Sequence, residues 1–376
     1  MKLNAPWLHS APVQRVLAML TDAGHQGLLV GGCVRNTALG APVSDIDIGT
    51  DALPDQVIAL AAAAGLRSVP TGIDHGTVTV IAAGAPHEIT TFRRDVDTDG
   101  RHATVAFSTR ITEDAARRDF TINALYARAD GTVLDPLGEG LADLGRRCVR
   151  FVGDPERRIR EDYLRILRFF RFTAWYGDPA QGMEPEGLAA CAALTEGIDR
   201  LSRERIGHEM RKLLTAPDPA PAVAAMQATG ILSRVLPGAD ARALAPLVHL
   251  ETGADPLRRL AVLGGEDAAK GLRLSKSEAR RLERLRAGAL SGDPPEVLGY
   301  RLGAEAADAA LIRAALLGEA PPAPDRIAFG AAQRLPVAAA DLMPALSGPA
   351  LGARLREIEA RWIASGFRLT RAELLR

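Results

Sequence analysis

The chain has 376 residues, of which 47% are hydrophobic and 24% are charged, a composition typical of folded proteins and unlike disordered or fibrous ones. Lysine plus arginine equals aspartate plus glutamate at 46 residues each, so any basic surface that binds a nucleic acid must be local. A chain of this length is expected to form two or more domains.

The three cysteines are widely separated at Cys33, Cys148 and Cys191, and the sequence contains no C-x-x-C pair. This spacing predicts neither a zinc ribbon nor a disulfide framework. No apolar run is long enough to cross a bilayer, and the first residues lack the apolar segment of a signal peptide. We therefore expect a cytoplasmic protein with no membrane partner, and nothing in the sequence implies a protein partner.

The first elements form a helix, a strand and a tight turn. Apolar residues recur at helical spacing in residues 12–24, which predicts a helix that packs on the first strand. Residues 28–30 are an apolar run that ends at Gly31 and Gly32, as expected of a short buried strand and a turn. The backbone N–H groups of these glycines are a candidate cradle for a triphosphate. Arg35 follows on a short helical stretch.

Two carboxylates, Asp45 and Asp47, come next in the string S-D-I-D-I. In a strand, residues two apart share a face, so we expect both aspartates on one side and Ile46 and Ile48 in the core. Neighbouring carboxylates repel unless a cation lies between them, and Mg²⁺ prefers such ligands together with substrate phosphates. An isolated D-x-D is more often a solvated strand end, so this pair alone leaves both interpretations open.

The pattern then predicts a helix over residues 54–64 and extended segments over residues 66–69, 77–81 and 87–92. Glu88 is either a third metal-site carboxylate or an ordinary strand-end charge. Residues 95–109 are polar and contain glycine, which predicts a mobile loop beside the site. In all, we expect three to five short strands with two or three helices in this part of the chain.

The string R-R-D-F-T-I-N-A occupies residues 117–124. Adjacent arginines can neutralise a triphosphate and stabilise the charge that develops on departing pyrophosphate. Arg118 is the candidate phosphate ligand of this string. A lone Arg-Arg pair would more often be solvated surface.

From residue 146 onward the pattern is helical. Residues 161–171 read as one continuous helix in which Asp162 and Arg165, three apart, are neighbours on one face. Arg168 should lie alongside Arg165, whereas Arg171 is rotated away. The alternative interpretation of the Asp162–Arg165 pair is an ordinary salt bridge within the helix.

Taken together, these strings resemble the class II CCA-adding tRNA nucleotidyltransferases and the bacterial poly(A) polymerases. Those families usually show G-G-x-V-R-D before the D-x-D, whereas this chain has Asn36 at the last position, and we assign Asn36 no catalytic role. The resemblance implies an α+β nucleotidyltransferase head with a mixed sheet, followed by an all-α neck, body and tail. The expected boundaries are residues 1–140 for the head, 141–215 for the neck, 216–290 for the body and 291–376 for the tail.

The resemblance also implies roles for the candidate residues. Asp45 and Asp47 would be the catalytic ligands of Mg²⁺ in transfer of CMP or AMP from CTP or ATP to the 3′ end of tRNA. The nucleotide-binding candidates are Gly32, Arg35, Arg118, Asp162, Arg165, Arg168 and Arg171.

Base selection follows from the hydrogen-bonding edges of the four bases. Cytosine and adenine each present an amino donor beside a ring-nitrogen acceptor, which a carboxylate and a guanidinium match. Uracil and guanine reverse this pattern. One pair, Asp162 and Arg165, could therefore accept CTP and ATP and refuse UTP and GTP without a nucleic-acid template.

Two later helices complete the predictions. Residues 198–214 form an amphipathic helix with Ser202 as its cap, which should stabilise the neck. In residues 270–286, Ser275 and Glu278 form a capping box. The same stretch contains seven basic residues and two acidic ones. This stretch is either a solvated helix face or a surface that binds the RNA backbone. Its RNA-binding candidates are Lys270, Arg273, Lys276, Arg280, Arg281 and Arg284.

Four activities remain open at this point. Bacterial poly(A) polymerases tend to be longer, with a basic C-terminal extension. CC-adding relatives have lost a flexible loop, whereas residues 95–109 supply it here at full length, which argues against an enzyme that adds only C. An enzyme that adds only A is not excluded. A non-catalytic RNA-binding protein is disfavoured because Asp45, Asp47, Arg118, Asp162 and Arg165 are all retained.

Overall fold

The computed structural model of the chain describes residues 1–99 and 102–376. It forms two compact units, Met1–Val235 and Leu236–Arg376. The first unit begins with a mixed sheet and ends in helices, and the second is helical, so the predicted fold class is confirmed. The finer division into head, neck, body and tail stays a prediction.

The strands belong to the first unit. They are β1 (Gly27–Val30), β2 (Asp47–Thr50), β3 (Arg67–Gly72), β4 (Thr77–Ala82), β5 (Ala85–Thr91), β6 (Arg93–Asp99), β7 (His102–Phe107), β8 (Tyr126–Ala127) and β9 (Val133–Leu134). Within the described residues, seven strands form one sheet in the order β3-β4-β5-β2-β1-β8-β9. β2 and β5 run parallel, and the other neighbours in this sheet are antiparallel.

The helices of the first unit are α1 (Ala11–Thr21), α2 (Gly32–Ala38), α3 (Pro54–Ala63), α4 (Ile111–Ala116), α5 (Gly140–Gly145), α6 (Pro155–Glu161), α7 (Leu164–Tyr176), α8 (Pro185–Ala193), α9 (Arg203–Leu214), α10 (Ala220–Ala228) and α11 (Ile231–Val235). Those of the second unit are α12 (Leu244–Leu250), α13 (Pro256–Leu263), α14 (Ala268–Gly271), α15 (Lys276–Leu290), α16 (Pro295–Leu302), α17 (Ala306–Leu317), α18 (Pro324–Ala332), α19 (Gly348–Ala364) and α20 (Arg371–Leu374). Among the described residues, no helix is long and apolar enough to cross a membrane.

The sheet has a buried cluster on each face. Leu28 and Val30 of β1 belong to a cluster that includes Phe92 and Tyr126. Side chains alternate along a strand, so the fully buried Leu29 faces the opposite side, where α1 and α3 pack on the sheet. The predicted strand, tight turn and flanking helices are therefore confirmed, with boundaries shifted by a few residues.

Three predictions about the first unit are wrong. Residues 95–109 were predicted to be a mobile loop, but β6 and β7 form an antiparallel ribbon there, and residues 100–101 lie outside the described residues. The expected three to five strands and two or three helices are too few, because the described residues before position 140 form nine strands and four α-helices. The expected helix over residues 161–171 is interrupted, since α6 ends at Glu161 and α7 begins at Leu164.

The aromatic residues of the first unit join the sheet to the helices that follow it. Phe120, from the R-R-D-F string, packs 5.0 Å from Phe151 and 5.1 Å from Phe172, measured between ring centroids. Phe151 also stacks on Phe169 of α7 at 5.5 Å. This buried cluster fixes α7 against the segment that carries Arg118.

Candidate active site

Several strands bring the candidate residues to one end of the sheet. β1 ends at Val30, which lies opposite Asp47 of β2. Asp47 in turn lies beside Glu88 of the parallel strand β5. Tyr126, the first residue of β8, also pairs with Val30. The turn at Gly31, the two carboxylates and the start of β8 therefore meet at this end.

The two aspartates are both exposed but differ in their backbone setting. Asp47 is the first residue of β2, whereas Asp45 precedes the strand and accepts a 2.8 Å hydrogen bond from the Ser44 hydroxyl. The expected strand placement is thus correct for Asp47 and wrong for Asp45. Ile48 is buried, as predicted, and Ile46 is half-buried.

Asp47 sits in a crowded group of carboxylates. Desolvation by surrounding protein atoms and the charge of Glu88 raise the pKa of Asp47, Arg118 opposes this, and Asp45 adds to it. The neighbours of this carboxylate disfavour its ionised form, and a bound cation would stabilise that form. Glu88, left open by the sequence, is therefore an electrostatic neighbour of Asp47.

The donor set can be compared with what metal ions require. Within residues 1–99 and 102–376, no group of three or more His, Cys, Asp or Glu side chains could hold a metal. Mg²⁺, however, is commonly held by one or two carboxylates together with waters and substrate phosphates. Exposed Asp45 and Asp47 beside Glu88 fit that pattern, with the phosphates completing the coordination.

Arg118 is held in place by a buried acid and a buried phenol. Its Nη2 lies 2.9 Å from Oδ2 of Asp114, and its Nε donates to the Tyr126 hydroxyl at 3.1 Å. Tyr126 in turn donates to Asp114 at 2.6 Å. Burial alone would lower the pKa of Arg118, but Tyr126 and Asp114 outweigh it and raise that pKa. The guanidinium is therefore a fixed, permanent positive charge that faces Asp47.

The turn after β1 needs glycine because of its backbone conformation. Gly31 has φ +71°, and a Cβ there would lie 3.4 Å from Nη1 of Arg118. A Cβ on Gly32 would lie 3.8 Å from Nη2 of Arg35. The tight turn predicted at these positions is confirmed, and it places bare backbone beside the Arg118 guanidinium.

Arg35 is buried and makes its contacts inside the protein. It donates to Asn123, to the Tyr176 hydroxyl at 2.8 Å and to Oδ1 of Asn36 at 2.8 Å. Its guanidinium also stacks over the Tyr176 ring at 3.9 Å. These bonds join α2 to α7, so a direct contact between Arg35 and a nucleotide would require some of them to be exchanged.

Asn36 occupies the position where the resembling families usually carry aspartate. Its Oδ1 accepts from Arg35, and its Nδ2 donates to the Pro42 carbonyl at 2.7 Å. A carboxylate could not make the second bond, which ties α2 to the segment leading to Asp45. The amide therefore has a structural role here.

The Arg165 N–H donates to the Asp162 carbonyl at 3.0 Å, but the side chains of the two residues have other partners. Asp162 lies in extended backbone between α6 and α7, where its Oδ1 accepts from the Leu164 N–H at 3.1 Å. Its Oδ2 accepts from Arg205 of α9 at 2.7 Å. Arg165 instead donates to Glu161 at 2.6 Å. The predicted shared helix face is wrong because the aspartate caps the next helix instead of continuing the first.

Arg168 and Arg171, the other two nucleotide-binding candidates, are held by carboxylates. Arg168 donates through Nε to Asp119 at 2.8 Å, and its Nη1 lies 3.8 Å from Glu209. Arg171 donates to the buried Glu209 at 2.5 Å. Burial would raise the pKa of Asp119, but Arg168 and Asn123 hold it below its ordinary value.

Helices α6 and α7, which flank Asp162, are joined directly to the segment that contains Arg118. The Arg158 guanidinium of α6 donates to the carbonyl oxygen of Arg118 at 2.6 Å and also to that of Arg117. Asp119, next in the chain, holds Arg168 of α7. Phosphate-binding and base-reading candidates therefore belong to one continuous set of contacts within the first unit.

The sequence reasoning missed several residues of this set. Asp114 precedes Arg118 by four positions, the spacing of neighbours on a helix, and this spacing could have identified the pair. Tyr126, Arg205 and Glu209 were assigned no role at the site, because their partners Asp114, Asp162 and Arg171 lie in other elements.

The candidate RNA-binding residues lie in the second unit. The predicted capping box of Ser275 and Glu278 is confirmed at the start of α15. The exposed members of the candidate set are Lys270, Arg273, Lys276, Arg280 and Arg284.

Arg281 and Arg284 contact acidic side chains of the same unit. Arg281 lies 2.6 Å from Asp255 and 2.7 Å from Asp308, and Arg284 lies 2.6 Å from Glu305. Arg281 is half-buried in this network. Its contacts explain its position without an RNA ligand, so the exposed Lys270, Lys276 and Arg280 are the better candidates for an RNA contact.

Comparison with known proteins identifies two regions of the chain. Residues 28–150 match the family model of the Poly A polymerase head domain. Residues 182–242 match the model described as "Probable RNA and SrmB- binding site of polymerase A".

The curated relatives are CCA-adding enzymes. The CCA-adding enzyme of Levilactobacillus brevis is 42% identical over 57% of this chain and 53% of its own length. The human mitochondrial CCA tRNA nucleotidyltransferase 1 is 41% identical over 57% of this chain and 50% of its own length. The matched region thus spans about half the length of these relatives.

Solved structures extend the likeness to nearly the whole chain. The CCA-adding enzyme of Bacillus stearothermophilus in complex with CTP matches with a TM-score of 0.75 and 27% identity, over 96% of this chain and 94% of that one. The Thermotoga maritima CCA-adding enzyme complexed with tRNA shares the fold, with a TM-score of 0.67 at 17% identity over 96% and 92% of the two chains. The resemblance inferred from the motifs is confirmed: residues 28–150 match the Poly A polymerase head domain, and the chain is similar to CCA-adding enzymes in sequence and in fold.

Proposed function

We propose that this protein adds cytidine and adenosine nucleotides from CTP and ATP to the 3′ end of tRNA, without a nucleic-acid template. One observation carries the proposal. The exposed Asp45 and Asp47 lie at the end of the sheet where the fixed guanidinium of Arg118 acts electrostatically on Asp47, in the same unit as Asp162 and Arg165. The names of the relatives support the same activity.

Asp45 and Asp47 would hold the metal, which we propose is Mg²⁺. When bound, such a metal lowers the pKa of the attacking hydroxyl and neutralises charge on the phosphates. The proposed role of Arg118 is to bind the triphosphate and stabilise the negative charge that develops on pyrophosphate. Its fixed orientation suits this role, because the arginine need not reorganise during the reaction.

Asp162 and Arg165 would read the base. Asp162 would accept from the exocyclic amino group of cytosine or adenine, and Arg165 would donate to the ring nitrogen. Both bonds described for Arg165 use Nη1, to Glu161 and to the Arg158 carbonyl, each at 2.6 Å. Its Nε and Nη2 groups can therefore donate to a base while Nη1 holds the side chain in place.

The remaining candidate residues have supporting roles in this proposal. Gly32 and Arg35 would shape the phosphate and sugar site, and Arg168 and Arg171 would line the nucleotide. The exposed basic residues of α14 and α15 would contact the tRNA backbone. A cytoplasmic location, expected from the sequence, remains part of the proposal.

A poly(A) polymerase is the second candidate, because the matching family model is that of the poly A polymerase head. Purified protein should be given three tRNA transcripts that end before the CCA, after one C and after both C residues. Labelled CTP and ATP are then supplied singly and together, and product ends are sequenced. We expect extension to CCA and no further.

Each alternative gives a different product in this assay. A poly(A) polymerase would add a long A tract, an A-adding enzyme would extend only the transcript that ends in CC, and a CC-adding enzyme would stop after the second C. Absence of incorporation with every transcript would contradict the enzymatic proposal and leave an RNA-binding protein.

A further inference from the structure

The two candidate metal ligands are held by the protein in different ways. Asp47 belongs to β2, which pairs with a strand on each side. Asp45 lies before the strand, in a segment without regular structure. Among the described residues, the only backbone hydrogen bond of residues 42–45 is the one that the Pro42 carbonyl accepts from the Asn36 side chain at 2.7 Å. This bond is therefore the main polar restraint on the backbone that leads to Asp45.

We propose that Asn36 is a positioning residue for the metal ligand Asp45, which acts by holding residues 42–45 against α2 through its Nδ2 donor. This inference rests on the proposed function, in which Asp45 and Asp47 hold the metal. It goes beyond that function by assigning a role in metal binding to the position at which this chain departs from the G-G-x-V-R-D pattern. Restoring aspartate at position 36 should therefore impair metal binding.

The orientation of the Asn36 amide follows from its two partners. Arg35 has donors only, and its Nε and Nη2 lie 3.1 Å and 2.8 Å from Oδ1 of Asn36. The Pro42 carbonyl can only accept, so the group 2.7 Å from it is the amide nitrogen. An amide supplies an acceptor on one side and a donor on the other, whereas an ionised aspartate supplies acceptors alone.

Arg35 fixes this amide from the protein interior. The buried guanidinium donates to the Tyr176 hydroxyl at 2.8 Å and stacks over the Tyr176 ring. The backbone carbonyl of Asn36 also accepts from the Ala41 N–H at 2.8 Å, in the turn that follows α2. The side chain and the backbone of Asn36 thus both direct the chain from α2 toward Asp45.

Replacing Asn36 by aspartate should keep the bonds from Arg35 and lose the bond to Pro42. A carboxylate oxygen would then face the Pro42 carbonyl oxygen, and the segment should move away from α2. Because Asp47 stays fixed in β2, the two carboxylates would be held together less well. We expect the Mg²⁺ concentration for half-maximal activity to rise roughly three- to tenfold, the factor that corresponds to one hydrogen bond. The kcat at saturating Mg²⁺ should change little.

The experiment compares Asn36→Asp and Asn36→Ala with Gln14→Glu. The alanine variant removes the donor without adding a charge, so both Asn36 variants should weaken metal binding. Gln14 donates to the Leu8 and Ala129 carbonyls at 2.8 Å and 3.0 Å, so Gln14→Glu is the same amide-to-carboxylate change at bonds that do not involve residues 42–45. Mn²⁺ alone is titrated into each full-length protein and followed by its electron paramagnetic resonance signal. The Mg²⁺ dependence of CMP incorporation and a melting curve are recorded in parallel.

The double variant Asn36→Asp/Asp45→Ala tests the route of action. If Asn36 acts through Asp45, its substitution should have no further effect on Mn²⁺ binding in the Asp45→Ala background. Equal or tighter Mn²⁺ binding in Asn36→Asp than in the wild-type protein would overturn the proposal, as would an equal loss of binding in Gln14→Glu. Mn²⁺ binding that Asp45→Ala leaves unchanged, or failure of the wild-type protein to incorporate CMP, would instead contradict the proposed function.

Discussion

Replacing Tyr126 by phenylalanine removes one hydroxyl from the support of Arg118 and keeps the ring. That hydroxyl donates to Asp114 at 2.6 Å and accepts from Arg118 at 3.1 Å. The ring packs edge-on against Phe92 with centroids 6.3 Å apart, and phenylalanine can retain this contact. The variant therefore isolates the hydrogen bonds from the packing.

The expected loss of stability follows from these two bonds. A hydrogen bond to a charged group contributes about 1.5–3 kcal/mol. Arg118 and Asp114 still pair at 2.9 Å without the hydroxyl, so neither charge is left alone. We therefore expect a loss of about 2 kcal/mol in the free energy of unfolding. For a unit of this size, this corresponds to a fall of roughly 4–8 °C in Tm.

The substitution should also weaken triphosphate binding, and it should do so equally for CTP and ATP. Arg118 loses one of its two anchors and should bind phosphate less well, so KM should rise roughly three- to tenfold, equivalent to about 1 kcal/mol. The assay measures KM for CTP and for ATP with tRNA in excess. Tyr300→Phe is the control, because Tyr300 of the second unit donates to Glu359 at 2.6 Å and the substitution is the same. A change in the CTP-to-ATP ratio, or an unaltered KM, would refute the phosphate-binding role of Arg118.

Three further predictions concern the metal site, the core and the RNA surface. Asp47→Asn should reduce incorporation of both nucleotides at least about a hundredfold while tRNA binding, measured by filter retention, stays near normal. His87 is 3% exposed, and neither ring nitrogen has a partner among the described residues. Burial lowers the pKa of His87 in the folded protein below the ordinary histidine pKa of about 6.5. The free energy of unfolding is therefore highest above pH 6.5 and falls as the pH drops below that value, because the unfolded chain then binds the proton more readily. His87→Leu should flatten this part of the curve of unfolding free energy against pH, and an equally steep curve would contradict the argument. Lys276→Ala/Arg280→Ala should weaken tRNA binding and reduce the slope of log affinity against log salt by about 1–2, whereas an unchanged slope would mean a merely solvated surface.

The sequence predicts best where local pattern and local contacts coincide. The apolar run of β1 and the glycine turn after it were recognised because a buried strand and a positive φ at Gly31 are local requirements. The capping box at Ser275 was recognised for the same reason. The R-R-D-F string was recognised as a candidate phosphate-binding motif. The buried Asp114 that orients its second arginine was not recognised.

The break at Asp162 was missed because two backbone choices compete there. The residues around it favour a helix, but a side-chain carboxylate can instead accept from a backbone N–H two residues ahead. Arg205, more than forty positions away, contacts the other oxygen and favours the second choice. A helical pattern contains no information about such a partner.

The ribbon of β6 and β7 was also missed, for a different reason. The run D-V-D-T-D-G-R at residues 95–101 is polar and reads as a loop, yet it contains an Asp-Gly pair, which is a hairpin signal. The charge pattern of a helix likewise contains no information about distant partners. Arg281 was assigned from the charge of its own helix, whereas its partners Asp255 and Asp308 lie on other parts of the second unit.

The central claim is that one site accepts both CTP and ATP because Asp162 and Arg165 match the shared edge of their bases. The most direct test is a competition among all four triphosphates for the 3′ end of tRNA, comparing the wild-type protein with Asp162→Ala beside melting curves. Loss of the acceptor should reduce the preference for CTP and ATP over UTP and GTP roughly ten- to a hundredfold, the range for about 1–3 kcal/mol. A lower melting temperature with an unaltered ranking of the four nucleotides would contradict the claim and leave Asp162 as a structural partner of Arg205.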